Sequence, residues 1–348
     1  YPHPDIPSLE LFAIIPILSA DKVKNILILG GGTGGLIHFI SRLEGIERIT
    51  CIELDRKVEE VSRRIWGRWG KKVLFVFDDA RGYIEKEKRR FDVIYSTIST
   101  PGTFQEARFF TVEFFKSVKV RLTEKGVFAL KLPSSFPYMV RYISQLNGSV
   151  ISSLKDTFPH VFVFPGESEN IIIASMKEIP TDPAFFIEKL KKTNIKTKYL
   201  SSAVINYRLS LIPWYFSSIS RFPSPKSTDF KPYTLYFYLL YWTSQYSPSL
   251  EKILLKLGEL KEKTFIFLGI FVFFLLPILK RSSKSNIYPI PMLFTLTTGM
   301  LSMILSLVIL FMFQIHYGIV YSNVGIIMGL FMLGASIGSF IGLEIKGN

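Results

Sequence analysis

The stretch Gly30–Gly35 (GGGTGG) offers chemistry from its backbone rather than its side chains. Gly30, Gly32 and Gly35 fit a GxGxxG spacing between the apolar run Lys24–Leu29 (KNILIL) and the helical stretch Leu36–Leu43. Glycine permits the tight turn and lets N–H groups at a helix start approach a ligand closely. Roughly twenty residues further on, where dinucleotide-type sites place an acid, Glu53 closes the run Arg48–Leu54 (RITCIEL). A carboxylate there accepts hydrogen bonds from both hydroxyls of a ribose. Asp55 follows where a helix should begin and is read as its N-cap. A third apolar run, Lys72–Phe77, ends in Asp78-Asp79-Ala80-Arg81, where an acid can accept from an adenine amino group. Together these groups describe a nucleoside site.

The elements that must position them alternate. Strands are predicted at Lys24–Leu29, Arg48–Leu54, Lys72–Phe77, Phe91–Tyr95 and Gly126–Leu132. Helices are predicted over Glu106–Leu122, with the apolar stripe Phe110, Phe114, Val118, and over Tyr138–Phe158. Val161–Phe164 and Ile171–Ala174 then form a hairpin around Pro165-Gly166. The pattern predicts an α/β, methyltransferase-like Rossmann fold: a mostly parallel sheet with one reversed strand from a C-terminal β-hairpin. A ligand then belongs at the C-terminal ends of the strands, where the named residues gather. Cys51 lies inside the second strand and reads as a small buried apolar residue.

Composition narrows the remaining classes. Of 348 residues, 48% are hydrophobic and 15% aromatic, with a mean hydropathy of +0.30, which excludes a disordered chain. One Cys excludes a disulfide framework, and four His leave little for a metal cluster. The net charge of +14 is scattered and flanks hydrophobic runs, which suits an anionic lipid surface better than nucleic acid. Tyr1 in place of an initiator Met points to a processed or partial chain, with 1–23 a remnant of a truncated segment.

The expected organisation has a nucleoside-binding domain over 24–178, an aromatic-rich connector over 179–263 and transmembrane α-helices over 264–348. Tyr233–Tyr246 (YTLYFYLLYWTSQY) reads as an interfacial helix. Thr264–Leu279, Phe294–Phe313 and Val324–Leu343 are uncharged. The first is short for a span, and the other two are long enough to cross a bilayer. Gly334, Gly338 and Gly342 recur every fourth residue, a spacing for helix–helix packing in lipid. A bundle this small reads as incomplete. The positive-inside rule assigns the Lys280 loop to the cytoplasm. If the first run spans, that sends the preceding domain outside; the nucleoside chemistry argues the opposite and takes precedence, giving an inner- or plasma-membrane protein with a cytoplasmic soluble domain.

Ile26–Leu36 (ILILGGGTGGL), Cys51–Asp55 (CIELD), Asp79-Ala80 and Phe91–Ile94 resemble spermidine synthase, a polyamine aminopropyltransferase with a methyltransferase-like fold. Arg108–Phe115, Leu132–Ser135, Phe158–Gly166, Thr228–Pro232 and Tyr317–Gly334 are similar to its membrane-fused branch. The resemblance implies that Gly30–Gly35 and Glu53 hold the nucleoside and amino-acid part of decarboxylated S-adenosylmethionine. It also implies that Asp79 and Ala80 contact adenine; with so few Cys and His, no metal is expected. The implied partner is a small-molecule amine acceptor, whose nitrogen attacks only when deprotonated, so an acidic residue serves as base.

The chain departs from that family at telling places. Thr33 stands where the glycine turn carries an Asp, and Thr97 and Thr100 stand where the loop Ser96–Pro101 carries two acids. Threonine neither attracts an ammonium by charge nor serves as a base at neutral pH. The catalytic residue is therefore left open, with Asp78, Tyr95, Glu106 and Tyr138 as nearby groups. Two other readings stand beside aminopropyl transfer: methyl transfer from S-adenosylmethionine, and a silent nucleoside sensor coupled to a membrane transport bundle.

Overall fold

The structure is a computed structural model, and it describes residues 5–193, 195–259, 289–317 and 321–346. They form two compact units, Tyr1–Tyr241 and Trp242–Asn348. The first holds a seven-stranded sheet: β1 (Asn25–Leu29), β2 (Arg48–Glu53), β3 (Val73–Phe77), β4 (Phe91–Ser96), β5 (Leu122–Pro133), β6 (His160–Phe164) and β7 (Glu169–Ser175). Their order is β3-β2-β1-β4-β5-β7-β6. The β1–β5 neighbours pair in parallel, and β7 alone runs antiparallel to both its partners. The expected Rossmann-like sheet with one reversed strand is thus present. Strand order reverses between β1 and β4, and the register sets Leu29 beside both Ile52 and Ser96. A switch of this kind opens a crevice at the carboxyl ends of the strands.

The central strands are continuous apolar runs because both faces are covered. Ile26, Ile28, Ile49, Cys51, Val93 and Tyr95 belong to one core. Leu27, Leu29, Ile52, Ile94, Phe128 and Leu130 belong to the other. The first face is covered by α1 (Ile6–Ser19), α2 (Gly35–Ile40) and the helices Pro183–Lys192 and Ser202–Ser210. The Asp5 carboxylate caps α1 by accepting from Ser8 N–H at 3.1 Å, and Leu11–Ile15 are buried. Each of Leu11, Phe12, Ile14 and Ile15 contributes roughly 1.5–3 kcal/mol by leaving water.

Along the chain follow α3 (Arg56–Trp66), α4 (Ala80–Lys86), α5 (Phe104–Ala107), α6 (Val112–Arg121) and α7 (Arg141–Lys155). Helices α6 and α7 supply Phe114, Phe115, Val118, Val150 and Leu154 to the second core. The single helix expected over Glu106–Leu122 is two, because Thr111 adopts an extended backbone and caps α6 through Phe114 N–H. Its stripe of Phe110, Phe114 and Val118 is nevertheless fully buried. Tyr233–Tyr246 is helical, with Leu235, Phe237 and Leu240 buried and Thr234 Oγ1 3.1 Å from Ser227 Oγ. Those contacts give the first half of this aromatic helix a packing role in the first unit.

The second unit contains the helices Pro248–Glu259, Pro289–Tyr317 and Tyr321–Lys346. Of the three expected spans, Thr264–Leu279 lies outside the described residues. The other two fall on the last two helices. Among the described residues no helix is long and apolar enough to cross a membrane. Among the described residues this overturns the expected transmembrane helices over Phe294–Phe313 and Val324–Leu343, and with them the expected integral inner- or plasma-membrane location with its cytoplasmic soluble domain.

Candidate functional site

The turn after β1 is fastened before any ligand arrives. Gly30 N–H donates to Ile52 O at 2.9 Å, joining the turn to the end of β2. Gly31 has φ +80°, and a Cβ there would sit 2.8 Å from Thr97 Cγ2, so a side chain is excluded twice over. At Gly32 the reason is proximity. Its N–H donates to Glu53 Oε2 at 2.8 Å, and a Cβ would overlap that carboxylate. The other Glu53 oxygen accepts from Leu54 N–H at 2.9 Å. Glu53 thus reaches back to the turn through one oxygen and is locked to its own strand end through the other. A carboxylate offers about four acceptor positions, so capacity remains for ribose hydroxyls.

The end of β3 is built differently. The Asp79 carboxylate caps α4, accepting from Gly82 N–H at 2.8 Å. It also receives both guanidinium arms of Arg108, the Nη1 contact at 3.1 Å. Asp78 Oδ1 accepts from Asp79 N–H at 2.7 Å. A cleft with an empty volume of about 550 Å³ lies over these strand ends. Of the six residues predicted to hold the nucleoside, Gly30, Glu53, Asp79 and Ala80 line it. Gly32 supports it from behind through Glu53. Gly35 starts α2 beneath the Leu9 side chain and is not among its lining.

Sequence reasoning missed the ionic frame around Asp79. Arg81 makes a two-armed pair with Asp229 at 2.8 and 2.6 Å and donates to Arg108 O at 3.0 Å. Asp229 also accepts from Thr111 Oγ1 at 2.8 Å. Burial opposes the Arg81 charge, but the Asp229 and Glu85 carboxylates more than offset it and raise its pKa above the usual guanidinium value. The signal in the sequence is the pair of segments Arg108–Phe115 and Thr228–Pro232, which hold Arg108, Thr111 and Asp229.

The loop after β4 carries little charge. Thr97 donates to Leu29 O at 3.1 Å through both its N–H and its hydroxyl, and its methyl packs on Gly31. It plugs the turn from above. Tyr95 is fully buried and donates to Ala13 O at 2.7 Å, so it does not face the cleft. Tyr138 is 84% exposed. Glu106 does line the cleft, as does Asp78. Among the described residues no group of three or more His, Cys, Asp or Glu is placed to hold a metal ion.

A second cavity, with an empty volume of about 800 Å³, opens beside the β6–β7 turn and the start of α1. Asp5, Glu167 and Glu169 line it together with Tyr207 and Arg208. Tyr207 donates to Glu167 at 3.0 Å, and Lys131 pairs with Glu169 at 2.8 Å. Burial pushes the Arg208 pKa down to about 10.

The family model described as Spermine/spermidine synthase domain matches residues 8–182. A polyamine aminopropyltransferase of Pectobacterium atrosepticum is 32% identical over 125 residues, 34% of this chain and 43% of that protein. Polyamine aminopropyltransferase 1 of Aquifex aeolicus is 27% identical over 160 residues, 44% of this chain and 55% of that protein. The chain therefore spans about half the length of these two relatives. In fold it is similar to a spermidine synthase solved in complex with the transition-state analogue AdoDATO. That match has a TM-score of 0.53 at 24% identity over 63% of this chain and 76% of the other. Because the matched residues run from α1 past the last strand of the sheet, the chain belongs to the spermine/spermidine synthase family.

Proposed function

We propose that the cleft binds decarboxylated S-adenosylmethionine and that the protein transfers its aminopropyl group to a small amine. The observation that carries this reading is the charge balance of the cleft. Glu53, Asp78, Asp79 and Glu106 line it, while its cation, Arg108, is already committed to Asp79. The decarboxylated nucleoside presents only positive charge in its tail, from a sulfonium and an ammonium. The parent compound adds a carboxylate, which this lining repels. Glu53 receives the ribose hydroxyls, the Gly30–Gly32 backbone bounds the tail, and Ala80 lies against the base. Most relatives named above are aminopropyltransferases by name, which agrees with the charge argument.

In the transfer, the acceptor nitrogen attacks the propyl carbon attached to sulfur. An N–C bond forms and the C–S bond breaks. Its electron pair stays on sulfur as a neutral thioether, and one proton leaves the nitrogen. Positioning of two reactants supplies much of the acceleration in such a displacement.

A second reading, methyl transfer from S-adenosylmethionine, is favoured by one observation. Thr97 is spent on the turn and brings no charge to the loop. Calorimetric titration with both nucleosides separates the readings. Tighter binding of the decarboxylated form, with transfer to an amine, supports the first. Tighter binding of the parent overturns it in favour of methyl transfer. Binding of neither removes both.

A further inference from the structure

We propose that Glu106 is the carboxylate that takes the proton of the attacking amine, so that the acceptor nitrogen sits over the loop 96–103. This rests on the aminopropyl-transfer reading above. The proton released as the N–C bond forms needs an acceptor at the cleft, and the described side chains there allow elimination. Glu53 accepts from the Gly32 and Leu54 N–H groups, and its remaining acceptor positions are assigned to the ribose hydroxyls. Asp79 is neutralised by Arg108 and caps α4. Asp78 stands at the end of β3, two strands away from the β1–β4 switch. Glu106 follows the loop that leaves β4, on the switch side of the cleft.

The local structure is arranged around this carboxylate. A Cβ at Gly102 would lie 3.2 Å from Glu106 Oε2 and 3.2 Å from Tyr238 Cε1. Glycine at this position therefore lets the carboxylate pass close to the loop backbone and the tyrosine ring. Thr103 Oγ1 donates to Glu106 Oε2 at 3.1 Å, which fixes the side chain while leaving further acceptor positions. The charged groups sharing the cleft are Glu53, Asp78, Asp79 and Arg108. With Arg108 committed, an ammonium arriving at Glu106 meets net negative charge. It is held there as a cation and gives one proton to the carboxylate, and the lone pair this frees on nitrogen attacks the propyl carbon.

Glu106 also has a structural role. Thr103 and Glu106 stand in the N-cap and N3 positions of a capping box. Glutamine fills the N3 position equally well, so Glu106→Gln removes the charge and keeps the cap. The experiment compares the full chain, Glu106→Gln and Thr103→Ala with decarboxylated S-adenosylmethionine and two acceptors. One acceptor is 1,4-diaminobutane, protonated at neutral pH. The other is methoxyamine, already neutral there.

Glu106→Gln is expected to lower kcat/KM for the diamine by about 10²–10⁴-fold, the range for general-base catalysis. Nucleoside affinity should stay within about twofold, and most of the deficit should vanish with methoxyamine. Thr103→Ala should retain most activity with both acceptors. An active wild-type protein whose Glu106→Gln variant loses less than threefold overturns the assignment alone. An equal deficit with both acceptors also overturns it, by showing a structural role. A wild-type protein that transfers to neither acceptor overturns the aminopropyl reading, and this assignment falls with it.

Discussion

The two sides of the cleft are built on opposite plans. On the β1–β2–β3 side, the named acids are fixed by the protein itself: Glu53 by Gly32 and Leu54, Asp79 by Gly82 and Arg108. On the β4 side, the loop 96–103 presents threonines and serines, and its nearest carboxylate is Glu106. Preorganised acceptors suit a ligand of fixed shape such as a nucleoside, because little ordering remains to be done when it binds. A sparsely charged loop suits an acceptor whose identity can vary. On the proposed reading, the fixed acids of one side receive the nucleoside and the uncharged loop of the other faces the amine.

The contrast can be broken at several points. The largest effect belongs to the ionic frame. Asp229→Ala leaves Arg81, whose side chain is 7% exposed, without its main partner, and breaking one half of a buried pair costs about 3–5 kcal/mol. Denaturant unfolding of the first unit should register that loss; a change under 1 kcal/mol would show that the frame is dispensable.

Next comes Gly32→Ala, whose methyl would collide with Glu53 Oε2 and displace the carboxylate. Nucleoside affinity should fall by about 100-fold, or about 2.7 kcal/mol, while unfolding changes less than in Asp229→Ala. Glu53→Ala should weaken nucleoside binding by about 1.5–3 kcal/mol, the range for hydrogen bonds to a charged group. Unchanged calorimetric affinity would mean that the ribose lies elsewhere.

Smaller effects sharpen the other side. Thr100→Ala should leave nucleoside affinity within about twofold, since the loop is assigned to the acceptor; a tenfold loss, about 1.4 kcal/mol, would erase the division. Burial pushes the Cys51 thiol well above its ordinary pKa, with the Glu53 and Glu59 charges adding to the effect. Because the thiolate is the reactive form, Cys51 should resist alkylation in the folded protein even near pH 8.5 and react only on unfolding. Rapid labelling under native conditions would show that β2, and with it Glu53, is loosely held.

How far the sequence revealed this site follows from the range of each interaction. The glycine turn and Glu53 sit at the ends of adjacent strands of one βαβ unit, so their spacing in sequence reports that they lie side by side. The apolar strands were legible because their burial on both faces leaves continuous runs, and the reversed strand because a hairpin is local. The Asp79–Arg108 pair joins two separate elements, and Arg81–Asp229 spans 148 positions. No periodicity reports such pairs. The break at Thr111 was hidden because the apolar stripe continues across it, while only the hydroxyl cap marks the new start. The membrane expectation takes uncharged runs as spans, and among the described residues no helix is long and apolar enough to be one.

The most direct test of the central claim is calorimetric titration of the wild-type protein and Gly32→Ala with decarboxylated S-adenosylmethionine. The account predicts one site per chain in the wild-type protein and about 100-fold weaker binding, equivalent to about 2.7 kcal/mol, in the folded variant. Equal affinity in the two proteins would contradict it, because the turn and its carboxylate would then have no part in holding the nucleoside.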